Sequence, residues 1–243
     1  MSGHVLAATR LSRASTGCDS NAIAVCTSRA CILDGCDATL SAIEDLLALS
    51  PGPEVRLSKR SCLGNCGDGP NVTVGDVFFS RAAGATGAAR VVDKARVGAK
   101  PLTKAEVDVV SARLDAEALA ADDDAGALVA FDGALALAVE CDAPDVFLAK
   151  IFAGRASLRL RSGDAAAALS DATAAIDLTP AGDHQRPARF VLAADATLAT
   201  GRNGAGLYEA AVEAAARIEA AVGRRVCFKA AERRRVTLAA SPA

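Results

Sequence analysis

The stretch "RSCLGNCGDGPNV", residues 60–72, places Cys62 and Cys66 four positions apart in a run that also holds three glycines and a proline. Glycine has no Cβ, so a glycine-rich loop can turn sharply and pass close to a bound group. Thiolate sulfur is a soft ligand that suits iron–sulfur clusters and zinc. The composition of this stretch therefore predicts a loop that wraps a metal or a redox group.

A second pair of cysteines lies upstream in "VCTSRACILDG", residues 25–35, where Cys26 and Cys31 bracket four residues. Together the two pairs give the spacing C-x4-C-x30-C-x3-C. Each pair follows a short run that is predicted to be a strand. If these strands are neighbours in one sheet, all four thiols meet at one end of it, where they could hold an iron–sulfur cluster or zinc.

The segments around the two pairs alternate between predicted helix and strand. Apolar residues at helical spacing from Leu40 to Leu49 predict a helix, which ends at the run "PGP" at 51–53. Gly75 and Asp76 separate two β-rich runs and indicate a hairpin. The predicted order is βαβββα, with strands over 23–25, 54–58, 71–74 and 77–79 and a second helix over 88–96.

These cysteine motifs resemble a known family. "VCTSRACILDG" followed by "SCLGNCGDGPNVTV" is similar to the thioredoxin-like [2Fe–2S] ferredoxins, which include the small iron–sulfur subunit of bacterial and mitochondrial NADH dehydrogenase. The stretch "CLGNCGDGPNV" is highly specific, and the resemblance covers residues 20–97. It implies an α+β thioredoxin-like ferredoxin domain, which we place at residues 20–100.

The resemblance also implies which residues bind the cluster. Cys26 and Cys31 would supply one pair of ligands to a [2Fe–2S] cluster, and Cys62 and Cys66 the other. Four thiolates leave no open coordination position, so electron transfer is favoured over catalysis and the chain alone is not expected to be an enzyme. Backbone N–H groups that point at the sulfurs tune the reduction potential, and the glycines placed for this are Gly64, Gly67 and Gly69.

Three other uses of the cysteines fit the spacing less well. Zn²⁺ could bind the same four thiolates, although structural zinc sites favour C-x2-C knuckles. Cys31 and Cys36 also form C-x4-C, but the C-x2-C of plant-type ferredoxins does not follow. Disulfide exchange is disfavoured because the chain contains no C-x-x-C. The other cysteines are expected to be small apolar residues, namely Cys18, Cys36, Cys141 and Cys227.

The second half of the chain is dense in alanine, with Leu, Val and Ala at helical spacing. "FAGRASLRLRSGDAAAALSDATAAIDLTP", residues 152–180, resembles the helix-turn-helix of a tetratricopeptide repeat. "DAGALVAFDGALAL", residues 124–137, repeats the second-helix pattern, but Ala127 and Ala168 are 41 residues apart, whereas the usual period is about 34. We therefore predict an all-α tetratricopeptide-like domain over 104–243, with an alanine-rich bundle as the alternative.

Charge and hydropathy limit the partners that the chain can bind. The 27 basic and 29 acidic residues nearly balance, so no overall field draws the molecule to nucleic acid. The longest apolar stretch is interrupted by Asp132 and Glu140, which excludes a membrane span there and leaves the protein peripheral to a membrane at most. We expect a protein redox partner or a large electron-transfer complex, such as a photosystem, that is recognised locally.

The first nineteen residues are predicted to be an N-terminal arm. Residues 1–18 contain Arg10, Arg13 and several hydroxyl side chains but no Asp or Glu, a composition typical of organelle transit segments; a plain solvated arm is the alternative. The fusion of such a ferredoxin domain to a tetratricopeptide-like tail resembles proteins of algal plastids. This favours a plastid location on the stromal side of the thylakoid, with the mitochondrial matrix as the alternative.

Two functions remain open at this point. The four-cysteine constellation predicts one-electron transfer through a [2Fe–2S] cluster, with the helical tail docking the carrier to a larger redox complex. The alternative is a structural or interaction subunit of a photosynthetic or respiratory complex, in which the cluster, or zinc, only shapes a loop.

Overall fold

The computed structural model describes residues 20–222 and 234–235, and the chain divides into two units between Leu114 and Asp115. The first unit contains four strands and the helices that cover them. The elements are β1 (Ala22–Cys26), α1 (Arg29–Leu33), α2 (Cys36–Leu49), β2 (Arg56–Arg60), β3 (Val72–Val74), β4 (Val77–Phe79), α3 (Gly84–Ala95) and α4 (Lys104–Leu119), of which α4 crosses the division.

The four strands form one mixed sheet in the order β2-β1-β3-β4. β1 and β2 are parallel, with Ile23 opposite Leu57, and the crossover between them carries α1 and α2. β3 runs antiparallel to β1, and β4 antiparallel to β3 through the predicted Gly75–Asp76 hairpin. Alternate residues of β1 face the core, so Ile23 and Val25 are fully buried.

Helices α2 and α3 pack on each other and on β1. Their apolar side chains and those of the sheet form the core of this unit, because each helix has one apolar face and each strand alternates. The buried residues include Ile23, Val25, Ile43, Leu46, Leu57, Val72, Val74, Val91 and Val92.

The sheet brings three chain segments to one edge. Cys26 ends β1 and lies opposite Arg60, the last residue of the parallel strand β2. β3 starts at the same edge because it runs in the opposite direction, and the main-chain N–H of Cys26 donates to the carbonyl oxygen of Asn71 at 2.9 Å. The loops that carry both cysteine pairs therefore begin side by side.

Helix α4 is joined to α2 by a buried ion pair. Arg113 Nη2 lies 2.5 Å from Asp45 Oδ2, and the two side chains are 1% and 2% exposed. The same guanidinium donates to Ser41 Oγ at 3.0 Å. At its start α4 carries a capping box, in which Thr103 N–H donates to Glu106 Oε2 at 2.6 Å and Glu106 N–H donates to Thr103 Oγ1 at 3.3 Å.

The second unit is helical throughout its described part. Its helices are α5 (Asp124–Glu140), α6 (Asp145–Arg161), α7 (Ala165–Asp177), α8 (Arg186–Ala199) and α9 (Ala205–Val222), and each packs on the next. Small residues let neighbouring helices approach closely: a Cβ on Gly154 of α6 would lie 2.7 Å from Phe131 Cζ of α5. Asp123, in the acidic run at 122–124, caps α5 by accepting the N–H of Gly126 at 2.9 Å.

A network of ion pairs around the buried Asp171 also joins three helices of this unit. Asp171 on α7 accepts two hydrogen bonds from Arg155, both at 2.8 Å, and one from Arg159 at 2.8 Å, both arginines lying on α6. Arg155 also reaches Asp132 on α5 at 2.5 Å. The two parallel hydrogen bonds between Arg155 and Asp171 determine how α6 and α7 face each other.

The predicted fold class, an α+β thioredoxin-like domain followed by an all-α domain, is confirmed. Several element bounds differ from the prediction. β2 ends at Arg60 instead of residue 58 because its pairing with β1 continues to Cys26. Helices α2 and α3 begin four residues earlier than the predicted 40 and 88. Helix α1 was not predicted, since five residues are too few to show a helical period.

The tetratricopeptide-like geometry and the domain bounds 20–100 and 104–243 stay predictions. In the described part of the chain, no helix combines the length and the apolar character that crossing a membrane requires.

Candidate metal centre

The four cysteines of the predicted site meet at the sheet edge described above. Cys26 is the last residue of β1 and Cys31 lies in α1, and these two side chains are 1% and 0% exposed. Cys62 and Cys66 lie in the loop between β2 and β3, and both are exposed. The site thus has one buried pair and one exposed pair of thiols.

The exposed pair is already close together. Cys62 Sγ and Cys66 Sγ are 3.9 Å apart. Two thiolates bound to one tetrahedral metal, with bonds of about 2.3 Å, are separated by roughly 3.8 Å. The side-chain hydrogen bond with Cys62, and next the charge of Cys62, raise the pKa of Cys66.

The buried pair is held by hydrogen bonds. Burial acts to raise the pKa of Cys26, but hydrogen bonds with Ser28, Cys31 and the main-chain N–H of Leu63 outweigh it and lower the pKa to about 7. The Cys26 thiol lies 3.4 Å from Ser28 Oγ. A thiol with this pKa is substantially deprotonated at neutral pH, which is the form that binds metals.

Two contacts connect the buried pair to the exposed pair. The Ser28 side chain also hydrogen-bonds with Cys66, which acts to lower the pKa of that thiol. The N–H of Leu63, next to Cys62, points at Cys26. Ser28 and the loop at Leu63 therefore lie between the buried pair and the exposed pair. Ser28 was not among the residues predicted from the sequence, and only its position between Cys26 and Cys31 could have suggested it.

The three glycines of the loop have different surroundings. Gly64 and Gly67 adopt positive φ values of 89° and 102°, which other residues rarely adopt. The N–H of Gly64 donates to Cys62 Sγ at 3.4 Å. Gly69 lies against the buried pair: a Cβ there would be 3.0 Å from Cys31 Sγ and 2.6 Å from Asp34 Oδ2. Gly69 thus leaves Cys31 the room that a side chain would fill.

Asn71 is a second residue that sequence reasoning missed. It was predicted as the first residue of a strand, but it precedes β3 and is 1% exposed. Its side-chain Nδ2 donates to Cys31 Sγ at 3.7 Å and to the carbonyl oxygen of Asn65 at 2.5 Å. The sequence signal that could have identified Asn71 was its polar side chain between Pro70 and an apolar run.

The sequence of this part of the chain matches one known protein family. Residues 12–95 match the family model described as "Thioredoxin-like [2Fe-2S] ferredoxin". The N-terminal domain belongs to this family. No curated protein and no solved structure matches the chain. The predicted family of the ferredoxin domain is confirmed. Proteins of this family bind a [2Fe–2S] cluster and serve as redox subunits.

The side chains of the ferredoxin domain suit that cluster. The donors are four thiols arranged as two pairs, and a [2Fe–2S] cluster takes two ligands on each iron. In residues 20–222 and 234–235, no three His, Cys, Asp or Glu side chains surround a point where one metal ion could bind. A single Zn²⁺ requires four ligands around one point, so nothing in the site supports the zinc alternative.

The remaining thiols and histidines of the described residues lie outside this arrangement. Cys36 is buried at the start of α2, where burial, and next the charges of Asp37 and of Cys31, raise its pKa. Cys141 is partly exposed at the end of α5. His184 is exposed and lies 3.6 Å from Asp183. Cys18, Cys227 and His4 lie outside the described residues.

Replacement of Gly69 by alanine is expected to lower cluster content. The new Cβ would crowd Cys31 Sγ, which is fully buried and cannot move into solvent, whereas Asp34 can turn away. Overpacking of this kind costs about 1–3 kcal/mol. Iron content and the thermal melting of the ferredoxin domain measure the effect.

The matched control is Gly133→Ala on α5, where a Cβ would meet nothing within 4 Å. This variant should retain the wild-type iron content. Equal iron content in the Gly69 and Gly133 variants would show that the approach of Gly69 to Cys31 is not needed.

Proposed function

We propose that the protein carries single electrons through a [2Fe–2S] cluster ligated by Cys26, Cys31, Cys62 and Cys66. When bound, the cluster supplies reversible one-electron chemistry at iron. The observation that carries the proposal is the meeting of these four thiols, as two pairs, in a domain of the [2Fe–2S] ferredoxin family.

Contacts between the thiols support this pairing of the ligands. Cys62 and Cys66, at 3.9 Å, would bind one iron. Cys26 and Cys31, which contact each other through a side-chain hydrogen bond, would bind the other. The N–H groups of Gly64 and Leu63 point at the sulfurs of Cys62 and Cys26 and stabilise their negative charge.

The two pairs of thiols differ in burial, and this difference determines from which side a partner protein can reach the site. Cys26 and Cys31 are shielded from water, and Cys62 and Cys66 are exposed. A partner protein could approach the sulfurs of the exposed pair to within contact distance, whereas the buried pair is covered. The exposed loop is therefore the side at which we propose that electrons enter and leave.

The helical unit is proposed to dock this carrier to a larger redox complex. Its helices α5 to α9 pack each on the next, as in arrays that present an extended binding surface. The tetratricopeptide-like repeat and membership of a photosystem or of an NADH-dehydrogenase-type complex belong to this proposal. The transit-like composition of residues 1–18 supports an organelle location. The fusion pattern favours the plastid, on the stromal side of the thylakoid, over the mitochondrial matrix.

Anaerobic purification of the full chain tests the proposed function. We expect brown protein with about two irons and two sulfides per chain, in line with the cluster type, and an EPR signal that appears on reduction and disappears on reoxidation. Protein that binds one zinc and no iron would contradict the proposal. A cluster that cannot be reduced and reoxidised reversibly would instead favour the structural role. In that case the four ligands would still hold a cluster, but the protein would be a docking subunit and not an electron carrier. Neither role makes the chain an enzyme by itself.

A further inference from the structure

Asn71 contacts all three segments that carry the thiols. Its main-chain carbonyl accepts the N–H of Cys26 at 2.9 Å. Its side-chain Nδ2 donates to Cys31 Sγ at 3.7 Å and to Asn65, between Cys62 and Cys66, at 2.5 Å. One residue thereby joins the end of β1, helix α1 and the exposed loop.

The orientation of this amide is determined by its surroundings. Both partners of Nδ2 are acceptors, so a flipped amide would direct its oxygen at the carbonyl oxygen of Asn65. In the orientation found, Asn71 Oδ1 is buried and has no hydrogen-bond partner among the described residues. The two bonds donated by Nδ2 therefore determine the orientation and keep a donor on the sulfur.

We propose that Asn71 is a positioning residue that raises the reduction potential of the cluster through its N–H bond to Cys31 Sγ. The inference rests on the proposed function. One-electron reduction adds a negative charge, part of which falls on the thiolate sulfurs. A donor at the sulfur stabilises the reduced state more than the oxidised state, so it makes reduction more favourable.

Water cannot replace this donor. Cys31 is 0% exposed, whereas Cys62, which receives the N–H of Gly64, is exposed and can also be solvated. Loss of the Asn71 amide would leave the Cys31 sulfur without that stabilisation in a low-dielectric environment. The effect on the potential should therefore be larger than that of any change at an exposed donor.

The test compares Asn71→Leu with Asn21→Leu in the full chain. Leucine removes the side-chain amide at either position, but Asn21 precedes β1 at the end opposite to Cys26, and its side chain accepts a hydrogen bond from Ser20 at 3.1 Å. Midpoint potentials are measured by EPR-monitored redox titration. In parallel, wild-type protein labelled with ¹⁵N in asparagine side chains is reduced and examined by pulsed EPR for coupling to a side-chain nitrogen.

We expect a more negative midpoint potential for Asn71→Leu, an unchanged one for Asn21→Leu, and a side-chain ¹⁵N coupling in the wild type. An unchanged potential in an Asn71→Leu protein that retains its cluster overturns the inference. If the Asn71→Leu protein does not retain a cluster, the ¹⁵N coupling in the wild type tests the inference instead. The absence of that coupling overturns the inference. Wild-type protein without iron overturns the proposed function as well, whereas a cluster without the coupling overturns this inference alone.

Discussion

The full chain with Cys62→Ser is expected to purify nearly colourless, with iron content reduced to a small fraction of the wild-type value. Serine offers a hard oxygen in place of the soft thiolate, and the partner Cys66 would then hold its side of the cluster alone. The exposed position of Cys62 leaves the packed core unchanged, so the ferredoxin domain should retain its secondary structure. Iron and sulfide analysis with visible absorption and circular dichroism measures both properties.

Cys36→Ala and Cys141→Ser are the controls for this variant. Cys36 is a buried thiol close enough to Cys31 for their charges to interact, and Cys141 lies at the end of α5 in the other unit. Both variants should keep the cluster. If Cys36→Ala lost the iron and Cys62→Ser kept it, the ligand set would have to include Cys36 in place of Cys62.

Arg113→Met is expected to destabilise the first unit strongly. It leaves the Asp45 carboxylate buried without its cation, since the Arg113 and Asp45 side chains are 1% and 2% exposed. Removing one partner of a buried pair costs about 3–5 kcal/mol. Hydrogen exchange of peptides from α2 and α4 in the full chain measures the loss locally.

Two further variants isolate the cause of that loss. The double variant Asp45→Leu with Arg113→Met removes both charges and should recover most of the stability, because apolar pairs often replace buried ion pairs without loss. Lys104→Met removes the cation of an exposed pair with Asp108 on the same helix and should change exchange little. A double variant as unstable as Arg113→Met would show that shape, and not charge, holds α4 to α2.

Local sequence patterns were sufficient to predict the strand and the hairpin that surround the site. The short apolar run at 23–25 and the Gly75–Asp76 turn predicted β1 and the hairpin, because apolar runs and hairpin turns are properties of neighbouring residues. The cysteine spacing predicted the four candidate ligands in the same way. The end of β2 at Arg60 was missed, since it depends on pairing with a strand more than thirty residues away.

The partners of buried polar groups could not be predicted from the sequence. Arg113 and Asp45 are 68 residues apart and each looks like an ordinary surface charge in its own helix. Asn71 looks like the start of a strand until the antiparallel register of β3 places it beside Cys26 and Cys31. In both cases the tertiary arrangement, and not local preference, determines what the side chain contacts.

Because the two exposed thiols lie close together, the loop is readily oxidised by air when it holds no metal. A disulfide needs its sulfurs about 2.05 Å apart, and Cys62 and Cys66 start at 3.9 Å in contact with water. Oxidation would remove two electrons and two protons from the pair and leave it unable to bind iron. If the loop binds a cluster as proposed, disulfide formation competes with cluster assembly, so the two thiols must stay reduced until iron and sulfide bind.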